Sequence, residues 1–258
     1  MSNRTHEHYN PESYWSDVAR RTSQRPYGII AGDDEPFYRY KRKKFLKQLH
    51  QINFTGKKVL EIGPGPGGNL AEIWKHNPKE LAGADISQEM INYAKGHLPQ
   101  EVQLSKINGT ELPYSDQYYD TSLTVTVLQH NTDISALKNL IASICRCTNG
   151  EIFLFERIEK SIKGTPLNMG RPVSYYSELM AQNGFELQEV NFLNVAASYL
   201  LAGITRKLLN MPSRKEAEPL SKISVLTQQL FLPFTKVSDP LFSTQREFAQ
   251  LRYSRIES

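Results

Sequence analysis

Apolar and polar positions along this 258-residue chain follow two rhythms, and each change of rhythm marks out an element. Short apolar runs, several rich in β-branched residues, recur at 59–62, 79–86, 102–107, 118–127 and 151–157, and each predicts a strand. Between them the apolar positions fall three and four residues apart. Residues 71–76, the stretch of Met90, Ile91 and Ala94 behind a candidate cap at Ser87, and residues 133–147 with Leu137, Leu140, Ile141 and Ile144 therefore predict helices with one buried face. Strands and helices taking turns in this way predict a largely parallel sheet.

On either side of this block the pattern changes. Residues 1–55 are aromatic, with Tyr9, Tyr14, Trp15, Tyr27, Phe37, Tyr38 and Tyr40, and the acids Asp33, Asp34 and Glu35 ahead of Pro36 mark a turn or a helix entry. Phe37, Tyr40 or Tyr38, Phe45, Leu46 and Leu49 can then share one helical face, which leaves Arg39, Lys41, Arg42 and Lys43 largely outside it. Downstream, residues 174–183 predict a helix closed by Gly184, and 185–195 a strand. Residues 196–209 and 220–232 predict two further helices, with Pro233 and Pro240 lying beyond the second. Their apolar side chains, Tyr199, Leu200, Leu208, Leu209, Leu226, Leu230 and Phe231, are expected to pack mostly on the core. Residues 245–256, with Phe248, Leu251 and Tyr253, predict a closing strand.

The first strand runs straight into a glycine cluster, VLEIGPGPGGNL over residues 59–70. A strand, a glycine turn and a helix begin a βαβ unit whose backbone can come close to a bound nucleoside, because a Cβ would obstruct that approach. Gly63, Gly65 and Gly68 also satisfy the spacing of dinucleotide-binding turns, which alone is a weak signal. Glu61 favours a different ligand, since a carboxylate at the strand end repels a pyrophosphate but accepts hydrogen bonds from an ammonium group. Asp85 ends the second strand twenty residues after Gly65, where a carboxylate can accept both hydroxyls of a ribose.

With an acid followed by three spaced glycines (Glu61, Gly63, Gly65 and Gly67), the chain resembles the class I S-adenosylmethionine-dependent methyltransferases, best over residues 57–157. The resemblance implies an α/β fold: a Rossmann-like, seven-stranded, mostly parallel sheet with helices on both faces, an N-terminal helical lid and a helical insertion near the C-terminus. The corresponding segments are 1–55 for the lid, 56–195 for the cofactor-binding core, 196–242 for the insertion and 243–258 for the closing strand. It also implies S-adenosylmethionine as cofactor, held by Glu61, the three glycines and Asp85, with Ile86 beside the adenine or ribose. At the third strand end the family often carries an acid that meets the adenine amino group. This chain has Asn108 there, whose amide carbonyl can accept the same bond, followed by Gly109 and Thr110. Thr126 and Val127, ending the fourth strand, would approach the methionine portion. Gln129 and His130 would lie near the methyl group or the acceptor, and His130 titrates in the range of a general base. Tyr14, Tyr38, Tyr40 and Arg157 complete the expected acceptor side. Glu156 and Arg157, at the end of the fifth strand, either touch the acceptor or pair with each other.

Composition narrows the field further. With 39% hydrophobic and 22% charged residues, the chain can bury one large domain, or one domain with an appended subdomain. The net charge of +4 is too modest to point to nucleic acid. The polar N-terminus does not read as a signal peptide, and no apolar run approaches a bilayer span. Cys145 and Cys147 are too close for an ordinary disulfide framework and lack metal-ligand company, which points to a reducing, cytoplasmic setting, and the electrophilic methyl of the cofactor that the resemblance implies requires no metal. The reading is methyl transfer to oxygen or nitrogen of a small-molecule acceptor by in-line displacement, with peripheral membrane contact through the 196–242 insertion kept open. Its rivals are an RNA or lipid-like acceptor, a methyltransferase fold that binds without turnover, and an NAD-dependent oxidoreductase.

Overall fold

The computed structural model describes residues 9–25, 35–242 and 247–256. The expectations that fall on Tyr27, Asp33, Asp34 and residues 243–246 lie outside the described residues.

Two helices lead: α1 (Pro11–Ser23), where Asn10 caps by accepting from the Ser13 amide at 2.9 Å, and α2 (Pro36–Leu49). Each has proline in its first turn, where a missing N–H costs nothing. The βαβ block follows as β1 (Lys58–Ile62), α3 (Gly68–Trp74), β2 (Glu80–Asp85), α4 (Gln88–Lys95), β3 (Gln103–Lys106), β4 (Tyr119–Val125), α5 (Ile134–Cys147) and β5 (Thr148–Ile158). Ser87 caps α4 through the Met90 amide at 3.2 Å, and Asp133 caps α5 through the Ala136 amide at 2.7 Å. Caps of this kind stabilise a helix by about 1 kcal/mol each. A short exposed hairpin comes next, β6 (Lys163–Thr165) and β7 (Asn168–Gly170), which the apolar pattern does not announce. Then come α6 (Val173–Ala181), β8 (Phe185–Phe192), α7 (Ala196–Leu209), α8 (Lys222–Ser238) and β9 (Glu247–Arg255).

Seven strands form one sheet in the order β3-β2-β1-β4-β5-β9-β8. The first five are parallel, and β9 runs antiparallel to both of its neighbours. Strand order reverses between β1 and β4, so the carboxyl ends of β1, β2 and β4 diverge around a crevice, the usual ligand position in open α/β sheets.

Side-chain alternation builds a core on each face of the sheet. Leu60, Ile62, Ile152 and Leu154 point to one side, packing with Leu137 and Ile141 of α5 and Tyr176 of α6. Val59, Leu123, Phe153 and Phe155 point to the other, packing with Phe45 and Leu49 of α2 and Leu70 of α3. By the same alternation Glu61 falls within this second, apolar layer.

Two expectations for the C-terminal helices fail. Helix α8 does not stop at residue 232 but continues through Pro233 to Ser238. An internal proline removes one ladder bond and costs ~3 kcal/mol. Tertiary anchors offset it: Leu232 is buried, and Asp239, just past the helix, accepts from the Ser198 amide at 3.0 Å and its hydroxyl at 2.6 Å. Nor do the apolar residues of these helices pack mostly on the core. Tyr199, Leu200, Leu208, Leu226, Leu230 and Phe231 are all exposed, Leu208 at 72%.

Candidate active site

The carboxyl edge of the parallel strands opens into a cavity of about 870 Å³, within the range of ordinary small-molecule sites. Its floor is the glycine turn. Gly63 has φ +66° and its amide donates to the Ala84 carbonyl at 2.7 Å; a Cβ there would stand 2.4 Å from the Val127 side chain. Gly65, at φ +52°, is different in kind, because a Cβ there would meet nothing within 4 Å. Its left-handed backbone strains any other residue, and its open side faces the cavity.

Two acids are built into this floor. Asp85 is buried; its Oδ2 accepts from the Gly65 amide at 3.0 Å and its Oδ1 from the Ser87 amide at 2.8 Å, tying the end of β2 to the turn. Burial pushes its pKa up to about 6 against the pull of those amides. Glu61 lies one layer deeper, wholly buried and off the cavity wall. Its Oε1 accepts from Asn69 Nδ2 at 2.7 Å, whereas its Oε2 is buried with no hydrogen-bond partner in the protein. Arg42 Nη1 donates to Asn69 Oδ1 at 3.1 Å, and Arg42 Nη2 donates to the Gly68 carbonyl at 3.2 Å. Guanidinium only donates and carboxylate only accepts, so the Asn69 amide is fixed in orientation between them. Desolvation lifts the Glu61 carboxyl to about 7 despite Asn69 and Arg42.

The third strand end departs from expectation. Asn108 lines the cavity with Gly109, Thr110 and Ile86, but its Oδ1 already accepts from the Thr110 and Glu111 amides, both at 2.9 Å, and from the Thr110 hydroxyl at 3.0 Å. Short polar side chains at strand ends readily satisfy their own following amides. The carbonyl expected to meet a ligand's amino group is engaged by its own loop.

At the fourth strand end the chain turns sharply. Thr126 adopts φ +58°, and the amides of Val127, Leu128 and Gln129 then converge on Glu156, at 3.0, 3.0 and 3.1 Å. Thr124 Oγ1 donates to the same carboxylate at 2.9 Å. Burial raises the Glu156 pKa, opposed by these donors. From the other side buried Arg171 donates to the carbonyls of Leu128 and Asn131, both at 2.8 Å. An acid that gathers N–H groups and a base that gathers carbonyls thus hold residues 127–131 in place. Glu156 neither pairs with Arg157 nor reaches the cavity wall, and Arg157 instead meets Glu159 at 2.6 Å.

This loop presents His130. Its Nδ1 lies 2.7 Å from the Leu167 carbonyl, and because a carbonyl only accepts, Nδ1 carries the proton. Nε2 therefore holds the lone pair and receives the Gln129 Nε2 amide at 3.1 Å. Gln129 is oriented in turn by the Arg157 amide, which donates to its Oε1 at 3.1 Å. Burial lowers the His130 pKa below its ordinary 6.5, so the imidazole is neutral near pH 7.

The roof comes from the N-terminal helices. Trp15 of α1 meets the His130 ring edge-on at 5.0 Å between centroids. Helix α1 is fixed over α4 by the Ser16 hydroxyl, 2.6 Å from Glu89 Oε2 and 3.1 Å from Ser87 Oγ. Tyr38, Lys41, Arg42 and Phe45 of α2 complete the wall, so two of the cations expected to lie outside the packed face line the cavity instead. Gly67, Tyr14, Tyr40 and Arg157 are off the wall; Tyr14 packs edge-on with Tyr9 and Trp15, and Tyr40 lies under Lys44 and Lys236. Trp15, Asn69 and Arg171 were not expected at the site from sequence, and Glu156 was expected in a different role. Glu156, an acid inside the apolar run IFLFER, carried a local signal for its importance but not for its partners.

Residues 59–150 match the family model described as a methyltransferase domain. By this match, residues 59–150 form a methyltransferase domain. The match covers the glycine turn, Asp85, Asn108 and His130, and stops short of Glu156. Among curated relatives, the ubiquinone biosynthesis O-methyltransferase of Coxiella burnetii is 30% identical over 126 residues, 47% of this chain and 51% of that protein. The fatty-acid O-methyltransferase of Mycolicibacterium smegmatis is 26% identical over 102 residues, 39% of this chain and 37% of that protein. The chain thus matches about half or less of the length of these relatives. The magnesium protoporphyrin IX methyltransferase of Synechocystis, solved with bound S-adenosylhomocysteine, shares the fold at a TM-score of 0.57 and 13% identity, over 95% of this chain and 98% of that one.

Proposed function

We propose that the methyltransferase domain binds S-adenosylmethionine and moves its methyl group to an oxygen, or less readily a nitrogen, of a small and largely apolar acceptor. The observation that carries this reading is the floor of the cavity: an open-sided Gly65, a buried Asp85 tied to it, and a buried Glu61 oxygen with no partner. A nucleoside with a cationic amino-acid tail fits that set of acceptors, with Asp85 for ribose hydroxyls and Glu61, behind Asn69, as the counter-charge for the ammonium. A pyrophosphate does not fit two buried acids. Ile86, Gly109 and Thr110 would flank the base, and Thr126 and Val127 the tail.

When bound, the cofactor supplies an electrophilic methyl group, so the protein's part is to align the acceptor and to take its proton. His130 Nε2 holds a lone pair at the cavity wall, fixed in tautomer by Leu167. It accepts the proton of an acceptor hydroxyl once the Gln129 amide yields its place to that hydroxyl. Trp15, Tyr38, Phe45 and Phe248 supply a wall suited to an aromatic or apolar body, and holding the acceptor in line lowers the barrier by ~7–11 kcal/mol at best. The names of the curated relatives, all O-methyltransferases, favour oxygen. The two free, buried cysteines favour a reducing, cytoplasmic setting.

Thermal unfolding with S-adenosylhomocysteine, NAD and NADP tests the reading. A ligand at a hundredfold over its Kd adds about 2.7 kcal/mol of stability, so a shift with S-adenosylhomocysteine alone is expected. A shift with NAD or NADP alone would overturn it.

A further inference from the structure

Helices α7 and α8 form an antiparallel hairpin whose polarity is inside out. The registry is set by Ser198 against Thr235 and Asp239 at one end, and by Thr205 against Gln228 further along. The residues turned inward are thus largely polar, and buried Ser224 extends the series. The residues turned outward include a long apolar set. On α8 they are Ile223, Leu226, Leu230, Phe234 and Val237, spaced three, four, four and three residues apart, so they form one continuous stripe. Phe234 and Val237 are 69% and 76% exposed. Leu200, Ile204 and Leu208 repeat the pattern on α7, and Met211 continues it into the connection.

A water-facing helix buries its apolar stripe and exposes its polar one. Polar groups between helices, with apolar ones outside, are the arrangement of helices that face lipid. The charges agree. The two helices carry Arg206, Lys207, Lys222 and Lys236 and no acid, and the three lysines are exposed, the set an anionic headgroup layer attracts. Among the described residues no helix is long and apolar enough to cross a membrane, so the hairpin can lie on a bilayer but not through it. Its connection is tied to the rest of the molecule near the cavity, since Glu216 lines the wall and its carbonyl accepts from Arg21 at 2.7 Å.

We infer that the outer face of α7–α8 is a docking surface for a lipid bilayer containing anionic headgroups. The inference stands apart from the methyl-transfer reading and uses none of its residues.

Sedimentation of the full chain with vesicles tests it. Two compositions are needed: neutral phosphatidylcholine, and phosphatidylcholine with about a third phosphatidylglycerol. The wild type is expected in the pellet with the anionic vesicles and less with the neutral ones. Replacing Leu226, Leu230 and Phe234 together by serine should weaken binding to both by at least tenfold. Replacing Lys222 and Lys236 by glutamate should weaken binding to the anionic vesicles alone, by roughly fivefold or more for each lysine. Unchanged melting temperatures of both variants show that the fold is intact. No binding of the wild type to either vesicle overturns the inference. So does a concentration-dependent dimer, broken by the serine variant, in a protein that ignores vesicles, because a second copy would then cover the face.

Discussion

At the carboxyl edge of the sheet, three carboxylates, Glu61, Asp85 and Glu156, are withdrawn from water into apolar surroundings. On the α7–α8 hairpin, leucine, isoleucine and phenylalanine side chains stand in water while serine, threonine, glutamine and aspartate fill the interior. Each region inverts the ordinary sorting of side chains, and each inversion costs stability that nothing within the region returns in full. Buried carboxylates lose hydration, and a contiguous apolar stripe orders water around it. The costs differ in how they are met. Glu156 collects four donors and is satisfied within the chain, whereas the Glu61 Oε2 and the α8 stripe are left without partners of their own. One unfinished group is a buried oxygen behind the cavity floor, the other an apolar stripe held in water.

The largest expected effect belongs to the loop that Glu156 and Arg171 hold. His130→Ala removes the lone pair and should lower kcat by about 10²–10⁴-fold while S-adenosylhomocysteine binds as before. The wild-type rate should also fall at acid pH. Burial lowers the His130 pKa below 6.5, so the neutral imidazole predominates at pH 7 and is lost only below that value. A pH profile of kcat should show this acid limb in the wild type and not in the variant. A variant within about threefold of the wild type would reduce His130 to part of the wall.

Next is Glu61→Gln, which sets function against stability at one atom. Loss of the counter-charge behind Asn69 should lower affinity for S-adenosylhomocysteine by roughly tenfold, about 1.4 kcal/mol. The ligand-free variant should nevertheless be more stable. The folded-state pKa of Glu61, about 7, lies above its ordinary 4.5, so its contribution is full below pH 4.5 and lost as pH rises through 7. Glutamine suffers no such loss, and the gain should reach up to about 3 kcal/mol above pH 7 and vanish near pH 4. Urea unfolding at the two pH values measures it. Equal stability at both would mean that Glu61 is relieved of its burial cost without a ligand.

The same contrast explains what the sequence disclosed. The strands and helices of residues 57–157 were legible because their periods, caps and glycines are local, and the floor of the cavity came with them. Glu156 and Arg171 were not, because their partners lie dozens of residues away and only the folded chain brings the amides of residues 127–129 together. Asn108 lines the cavity as its position suggested, but spacing could not disclose that its Oδ1 accepts from two amides and a hydroxyl of its own loop. Trp15, Lys41 and Arg42 depend on how α1 and α2 dock over the sheet, which no spacing specifies. For α7 and α8, apolar periodicity identified a face but not what it faces. Their equally regular polar residues, Ser198, Thr205, Ser224 and Gln228, were the sign that the inward side was the other one.

The smallest effect is also the sharpest comparison. In an ordinary amphipathic helix, a leucine in the middle of the apolar stripe is core, and shortening it to a small residue costs 2–5 kcal/mol. Leu230 occupies that position in the stripe of α8 yet is 64% exposed. Leu230→Ser therefore removes little buried surface and opens no cavity. What remains is the lower helix propensity of serine, a few tenths of a kcal/mol, partly offset by removing apolar surface from water. Unfolding of the variant in buffer should differ from the wild type by no more than about 0.5 kcal/mol. A loss of 2 kcal/mol or more would place Leu230 against the core, and the contrast with the buried carboxylates would collapse. A neutral result would mean that folding does not require leucine there, just as a more stable Glu61→Gln would mean that folding does not require the carboxylate at the opposite kind of site.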